Sequence, residues 1–146
     1  YSLVMDTYSM GYSGSSYMDV PMNQKIFMAQ YECIKKLAEQ ESCIIVGRCA
    51  DYALKDMPGL VSVFISADMD FKIKRVIEMY GCDEVKAKDI INKTNKNRAS
   101  YYNFYSNKKW ADSRSYNLCI NSSVVGIENA ADLIIQFMNL KLNKKD

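Results

Sequence analysis

An arginine that directly follows a short apolar run is the residue of this chain best suited to chemistry. The run predicts a strand over residues 43–47, buried on both faces of a parallel sheet, and Arg48 comes next. Ligands of such sheets bind outside the carboxyl ends of the strands, where a guanidinium can hold a phosphate through two parallel hydrogen bonds. Arg48 could equally cap the strand and pair with Asp51 or Asp56. The local sequence leaves both interpretations open.

A basic stretch further along the chain is the second candidate site. Asp83 is predicted to begin a helix that carries the cations Lys93, Lys96 and Arg98. The two lysines share one helix face, whereas Arg98 points elsewhere unless the helix bends. Such cations can stabilise the charge that develops on a phosphoryl group during transfer. Alternatively, these cations lie on an ordinary solvent-exposed face of the helix.

Aromatic residues follow the basic stretch, over residues 101–116. They could stack nucleobases or pack the segment onto the domain.

Length and composition describe one globular domain and exclude several classes of chemistry. The chain has 146 residues, of which 49% are hydrophobic and 25% charged, and its net charge of +2 is too small for a general polyanion binder. No apolar run is long enough to cross a bilayer, so no membrane partner is expected. Histidine is absent, which excludes a Ser-His-Asp triad and a His-ligated zinc site. No metal site is predicted.

The five cysteines predict free thiols in a reducing compartment. Their number is odd, no two have the spacing Cys-x-x-Cys, and they lie in or near apolar runs, at Cys33, Cys43, Cys49, Cys82 and Cys119. We therefore expect them to be unpaired and buried, and we expect the protein in the cytoplasm.

Helical patterns alternate with short apolar runs, which is typical of an α/β fold with a parallel sheet. Residues 1–20 are rich in Tyr, Ser, Gly and Met, and we expect an irregular or mobile segment there. The remainder, 21–146, is predicted to form one α/β domain. Its three strands and its last helix, which should bury an apolar face, are predicted over residues 43–47, 60–65, 116–121 and about 126–141.

Taken in order, these motifs resemble the cytidylate kinase-like family of P-loop nucleotide kinases. The resemblance extends over roughly residues 21–138, and the segments that carry it are residues 46–52, 63–67, 95–102, 110–112 and 116–122. It implies a Rossmann-like P-loop kinase fold, with a parallel sheet flanked by helices. The phosphate-binding sequence Gly-x-x-x-x-Gly-Lys-Ser/Thr does not occur in these 146 residues. The strand that carries this loop is therefore expected to precede Tyr1, and no cofactor-binding residue is predicted.

The resemblance also implies an activity and site residues. The activity is transfer of a phosphoryl group from ATP, with Mg²⁺, to a nucleoside monophosphate such as CMP or dCMP, or to a related small acceptor. By position, Arg48 and Asp51 are implied to bind the acceptor. Lys96 and Arg98 are implied to be catalytic cations of a lid-like segment over about 92–112.

Two other functions remain open at this point. One is a non-catalytic nucleotide-binding or regulatory relative of the same fold. The other, less favoured because the net charge is small, is a single-stranded nucleic-acid binder. The expected partner is thus a nucleotide or small-molecule acceptor, with nucleic acid not expected and a homo-oligomer left open.

Overall fold

The computed structural model describes residues 21–143 of the chain. The irregular segment expected over residues 1–20 lies outside the described residues. Helices alternate with two strands, and the elements in chain order are α1 (Met22–Gln40), α2 (Ala50–Ala53), β1 (Val63–Ser66), α3 (Met69–Tyr80), α4 (Glu84–Ser106), β2 (Leu118–Asn121), α5 (Ser122–Val125) and α6 (Ile127–Leu142), with a 3₁₀ turn at Ser113–Ser115. No helix among these residues is both long enough and apolar enough to cross a membrane.

The two strands form a parallel pair, as the sequence predicts. Val63 lies opposite Leu118, and Ser66 lies opposite Asn121. Two hydrogen bonds between the residues just before the strands extend the pairing. The Asn117 backbone amide donates to the Ser62 carbonyl at 2.9 Å, and the Ser62 backbone amide donates to Asn117 Oδ1 at 3.1 Å. The fold is therefore a mixed α/β arrangement in which helices flank a small parallel sheet.

The predicted strand over residues 43–47 does not form, so that prediction is wrong. Within the described residues, β1 and β2 pair only with each other, so residues 43–47 have no partner strand. Ile44 and Val46 are 96% and 89% exposed, whereas Ile45 between them packs on the core. This alternation is the side-chain pattern of a strand with one covered face.

Three small clusters make up the core. One joins α1 to α2 through Ile34, Ala53 and neighbours. A second is aromatic and joins α1 to α4 through Phe27 and Tyr102. The third lies inside the α3–α4 hairpin, where Ala87 is fully buried. The hairpin turn is capped by the Asp83 carboxylate, which accepts a hydrogen bond from the Lys86 amide at 2.8 Å. Asp83 thus begins α4 as predicted.

The last helix covers less apolar surface than its sequence pattern predicts. In α6 only Ala130 is buried, and Leu133 and Met138 are 40% and 38% exposed. The expected burial of its apolar face is wrong because a pair of four-residue strands is too narrow to cover it. A cavity of about 430 Å³ remains between α6 and β2, lined by Ile120 and Phe137 among others.

Candidate functional site

The turn that carries Arg48 has a strained backbone. Gly47, Arg48 and Cys49 have φ of 73°, 56° and 55°, and the left-handed conformation costs an L-residue about 1–2 kcal/mol. The Cys49 side chain is 3% exposed and belongs to the same cluster as Phe27 and Tyr102. Strain of this kind persists only where the surrounding packing imposes it, and it is common at functional sites. The turn is therefore a fixed platform for Arg48.

The Arg48 guanidinium has no protein partner in the part of the chain that the structure describes. Neither Asp51 nor Asp56 forms an ion pair or hydrogen bond with it, and the side chain is half-buried. The structural interpretation, an arginine that caps the strand by pairing with a nearby carboxylate, is therefore not realised here. The cation is free to bind an anionic ligand through two parallel hydrogen bonds.

Asp51 is hydrogen-bonded to Tyr102 of α4 and forms no hydrogen bond or ion pair with the Arg48 guanidinium. The Tyr102 hydroxyl donates to Asp51 Oδ2 at 2.7 Å, and Lys108 Nζ lies 3.7 Å from the same oxygen. Burial, followed by the hydrogen bond to Asp51, raises the pKa of Tyr102 well above its ordinary value. The tyrosine therefore remains protonated and a donor. The two residues implied to bind the acceptor are near in sequence, but the structure does not bring their charged groups into contact.

Replacing Tyr102 with phenylalanine should destabilise the protein by about 1–2 kcal/mol. The substitution removes the donor and leaves a carboxylate that is mostly buried with one partner fewer. Urea denaturation followed by circular dichroism measures the change. Tyr80→Phe is the matched control, because Tyr80 is 59% exposed. Equal stability of the two variants would show that the bond to Asp51 contributes nothing.

The implied lid cations are exposed to solvent. Lys93, Lys96 and Arg98 all lie on the outer surface of α4, and none has an ion pair with another described residue. α4 is one continuous helix of 23 residues, about 35 Å long. Residues two positions apart on such a helix differ by about 200° in direction. Lys96 and Arg98 therefore cannot face the same phosphate while the helix is straight.

The aromatic residues that follow the cations are packed. Tyr105 stacks on Phe27 with 4.0 Å between ring centroids, and Trp110 meets Phe64 edge-on at 5.3 Å. Tyr102 is buried. These contacts agree with the packing interpretation of the segment. Within the predicted lid-like segment, 92–112, Lys93, Lys96 and Arg98 thus lie in the first part, and aromatic side chains of the second part pack on α1 and β1.

A polar network joins the carboxyl ends of the two strands, and sequence reasoning missed it. The Ser122 hydroxyl donates to the Ser66 carbonyl at 2.9 Å, and Asn121 Nδ2 donates to Asp68 Oδ1 at 2.9 Å. The Asp68 amide donates to the Ser123 hydroxyl at 2.9 Å. Hydrogen bonds from Asn121 and Ser123 hold the pKa of Asp68 below its ordinary value. The partners of Asp68 lie 53 and 55 positions away in the sequence, so no local pattern indicates this network.

All five cysteines are free, as predicted, but most are not buried. Cys33, Cys43 and Cys119 are exposed, Cys82 is half-buried, and only Cys49 is buried. The prediction that all are buried is therefore wrong, because the predicted strand around Cys43 does not form and β2 keeps one face open. Burial, with a smaller effect of Asp51, raises the pKa of the Cys49 thiol to about 11. Cys49 is thus a packing residue of the Arg48 turn and not a nucleophile.

Iodoacetamide at pH 8 should alkylate Cys49 at least about a hundredfold more slowly than Cys33. The thiolate is the reactive form, and a pKa raised from 9.0 to about 11 lowers its fraction about a hundredfold. Peptide mass spectrometry of timed samples measures both rates in the same protein. Comparable rates would contradict the burial of the turn.

These features define an α/β protein with a strained, cation-bearing turn just before α2 and with exposed cations on a long helix. The sequence profile of the cytidylate kinase-like family matches residues 1–124, and the chain belongs to this family. Among solved structures, the chain is similar to an uncharacterized protein from Eubacterium ventriosum, with 43% identity and a TM-score of 0.77 over 81% of this chain and 74% of that chain. No curated protein matches the chain.

Proposed function

We propose that this protein transfers a phosphoryl group from ATP to a nucleoside monophosphate, with CMP or dCMP as the first acceptors to test. Membership of the cytidylate kinase-like family supports a nucleotide-related, kinase-like function. The observation that carries the finer proposal is Arg48, a half-buried guanidinium on a strained turn with no partner among the described residues. In this proposal, Arg48 binds the acceptor phosphate.

Asp51 has a supporting place in the proposed acceptor site. Its carboxylate fixes the start of α2, three residues after Arg48, to Tyr102 in α4. A carboxylate that is held in this way can accept a hydrogen bond from the amine or hydroxyl of an acceptor without first losing conformational freedom. In the proposal, Arg48 therefore binds the phosphate end of the acceptor, and Asp51 accepts a hydrogen bond from its amine or hydroxyl.

Lys96 and Arg98 are proposed to stabilise charge on the phosphoryl group in transit. Phosphoryl transfer needs positioning and cations more than acid–base chemistry, so a chain without histidine is suited to it. Both side chains are exposed and unpaired with any described carboxylate. They can turn toward a ligand without breaking an existing ion pair. Because they point in different directions on a straight α4, one of them is proposed to dominate.

The described residues do not by themselves form a site for ATP and Mg²⁺. Among residues 21–143, no group of three or more Cys, Asp or Glu side chains could hold a metal ion, and the 146 residues contain no phosphate-binding loop motif. In the proposal, these residues bind the acceptor and supply positive charge around the phosphates, and none of them binds ATP or the metal. The nucleotide-triphosphate loop is proposed to come from sequence outside these residues.

A non-catalytic nucleotide-binding or regulatory relative of the same fold is the second candidate. A single-stranded nucleic-acid binder has less support, because most aromatic side chains that could stack bases pack against one another.

The five free cysteines support the proposal that the protein resides in a reducing compartment such as the cytoplasm.

The test is ADP formation by the natural full-length protein, with ATP, Mg²⁺ and one nucleoside monophosphate at a time. We expect turnover with CMP or dCMP above that with AMP and GMP. Saturable CMP binding without ADP formation would support the non-catalytic relative. An affinity for oligonucleotides that falls steeply with salt, with no response to CMP, would support the nucleic-acid binder. Either outcome would overturn the proposed transfer.

A further inference from the structure

A second cavity, which is polar and has a volume of about 280 Å³, lies in front of the amino ends of β1 and β2. It is built from four separate parts of the chain: α2 with the segment that leads to β1, the loop after α4, the residues before β2, and the last turn of α6. The side chains that give it its chemistry are Asp51, Lys55, Ser62, Lys108, Asn117 and Lys141. Arg48 and the cations of α4 do not line it.

The cavity has more positive than negative charge. It is lined by three ammonium groups, those of Lys55, Lys108 and Lys141, and by one carboxylate, that of Asp51. The carboxylate lies 3.7 Å from Lys108 and also accepts from Tyr102. Lys55 lies 5.5 Å from the centre of a tyrosine ring and has no ion pair with a described residue. Two positive charges are thus left without a carboxylate.

The ammonium group of Lys141 is held in position by neutral oxygens. Its Nζ donates to the Leu60 carbonyl and, at 2.8 Å, to Asn117 Oδ1. Two hydrogen bonds fix the group and leave the third ammonium hydrogen for another acceptor. Asn117 is itself fixed, because its backbone amide donates to Ser62 Oγ at 3.1 Å. An anion that enters the cavity therefore finds a cation that is already ordered.

We propose that this cavity binds a small anion that carries a phosphate group. A phosphate dianion matches the two uncompensated charges, and its oxygens can accept from the ammonium groups and from the hydroxyl of Ser62. The site lies at the amino ends of strands whose carboxyl ends are Ser66 and Asn121, about 13 Å away along the four residues of each strand. The cavity shares Asp51 with the proposed acceptor site, but Arg48 does not line it, so phosphate binding here does not depend on the proposed transfer.

The experiment follows backbone amide resonances of the ¹⁵N-labelled chain during a titration with inorganic phosphate. Ionic strength is kept constant with sodium chloride. We expect saturable shifts at Ser62 and Asn117. Glycerol phosphate, titrated separately, distinguishes a site for free phosphate from one that also accepts a phosphomonoester. Equal shifts with chloride alone, or no saturation, would overturn the proposal.

Substitutions then locate the bound anion. Lys108→Met and Lys141→Met should each weaken phosphate binding about tenfold or more, because each removes a charge-assisted contact. Lys36→Met, on the exposed side of α1, is the matched control and should bind normally. Lys55→Met gives the same test without breaking a hydrogen bond, should Lys141→Met fail to fold. Unchanged affinity in Lys108→Met and Lys55→Met would contradict the site.

Arg48→Ala separates this proposal from the proposed function. It should leave the shifts at Ser62 and Asn117, and their midpoint, unchanged. Loss of these shifts in Arg48→Ala would mean that phosphate binds at the Arg48 turn, and the cavity would then not be an anion site.

Discussion

Replacing Arg48 with alanine should weaken the binding of CMP by about ten- to a hundredfold and leave the melting temperature nearly unchanged. A hydrogen-bonded ion pair between a guanidinium and a phosphate contributes about 1.5–3 kcal/mol, which corresponds to this range. Stability should change little because the guanidinium has no hydrogen bond or ion pair with the described residues. Isothermal titration calorimetry measures the affinity, and differential scanning calorimetry measures the melting temperature.

Two further variants make the Arg48 prediction specific. Arg75→Ala removes an exposed arginine from α3 and should bind CMP normally, which controls for the loss of one positive charge. Arg48→Gly should lose binding as the alanine variant does, but it should melt no lower than that variant, because glycine tolerates the left-handed backbone at φ 56°. Normal binding combined with a clearly lower melting temperature in Arg48→Ala would make this arginine a structural residue.

Features of the fold that depend on neighbours in sequence were predictable. The parallel pairing of β1 with β2 follows from strands that are separated by helices. The start of α4 at Asp83 follows from a local capping pattern, and the structure has the capping hydrogen bond. The cap is fixed by adjacent side chains, and the parallel direction of the pair follows from the order of strands and helices along the chain; sequence patterns report both directly.

Features that depend on distant partners were not predictable. Residues 43–47 have the composition of a buried strand, yet a strand exists only where another strand offers hydrogen bonds, and composition does not report that. The same reason explains α6, whose apolar face is sequence-encoded while the surface that would cover it is not. A pattern shows which side chains can be buried. It does not show whether a neighbour is present to bury them.

In the candidate site as well, the local feature was predictable from sequence and the long-range contacts were not. Arg48 was identifiable from a basic residue after an apolar run, but its left-handed backbone and the absence of a described partner became visible only in three dimensions. The contact of Asp51 with Tyr102 joins positions 51 residues apart, so no local signal carries it. The cavity with Lys108 and Lys141 is assembled from four parts of the chain and has no sequence motif.

Replacing Lys96 and Arg98 together with alanine should lower the turnover number of the natural full-length protein at least about a hundredfold. Removing a single group that stabilises transition-state charge typically costs a factor of about 10² to 10³. Because the two side chains point in different directions on α4, the single variants should be unequal, with one close to the double variant. The Michaelis constant for CMP should change little, since the acceptor phosphate is assigned to Arg48. Steady-state ADP formation at saturating substrates measures both constants.

The control for this double variant is Lys74→Ala combined with Arg75→Ala. These residues are also one lysine and one arginine on an exposed helix surface, in α3, and removing them should leave turnover unchanged. Both double variants should unfold at nearly the same urea concentration as the parent, because exposed charges contribute little to stability. If the Lys96 and Arg98 variant turns over normally, while substitution of the lysine in the ATP-binding loop abolishes activity, the two cations are ordinary surface charges. The long helix α4 would then position the aromatic cluster and nothing more.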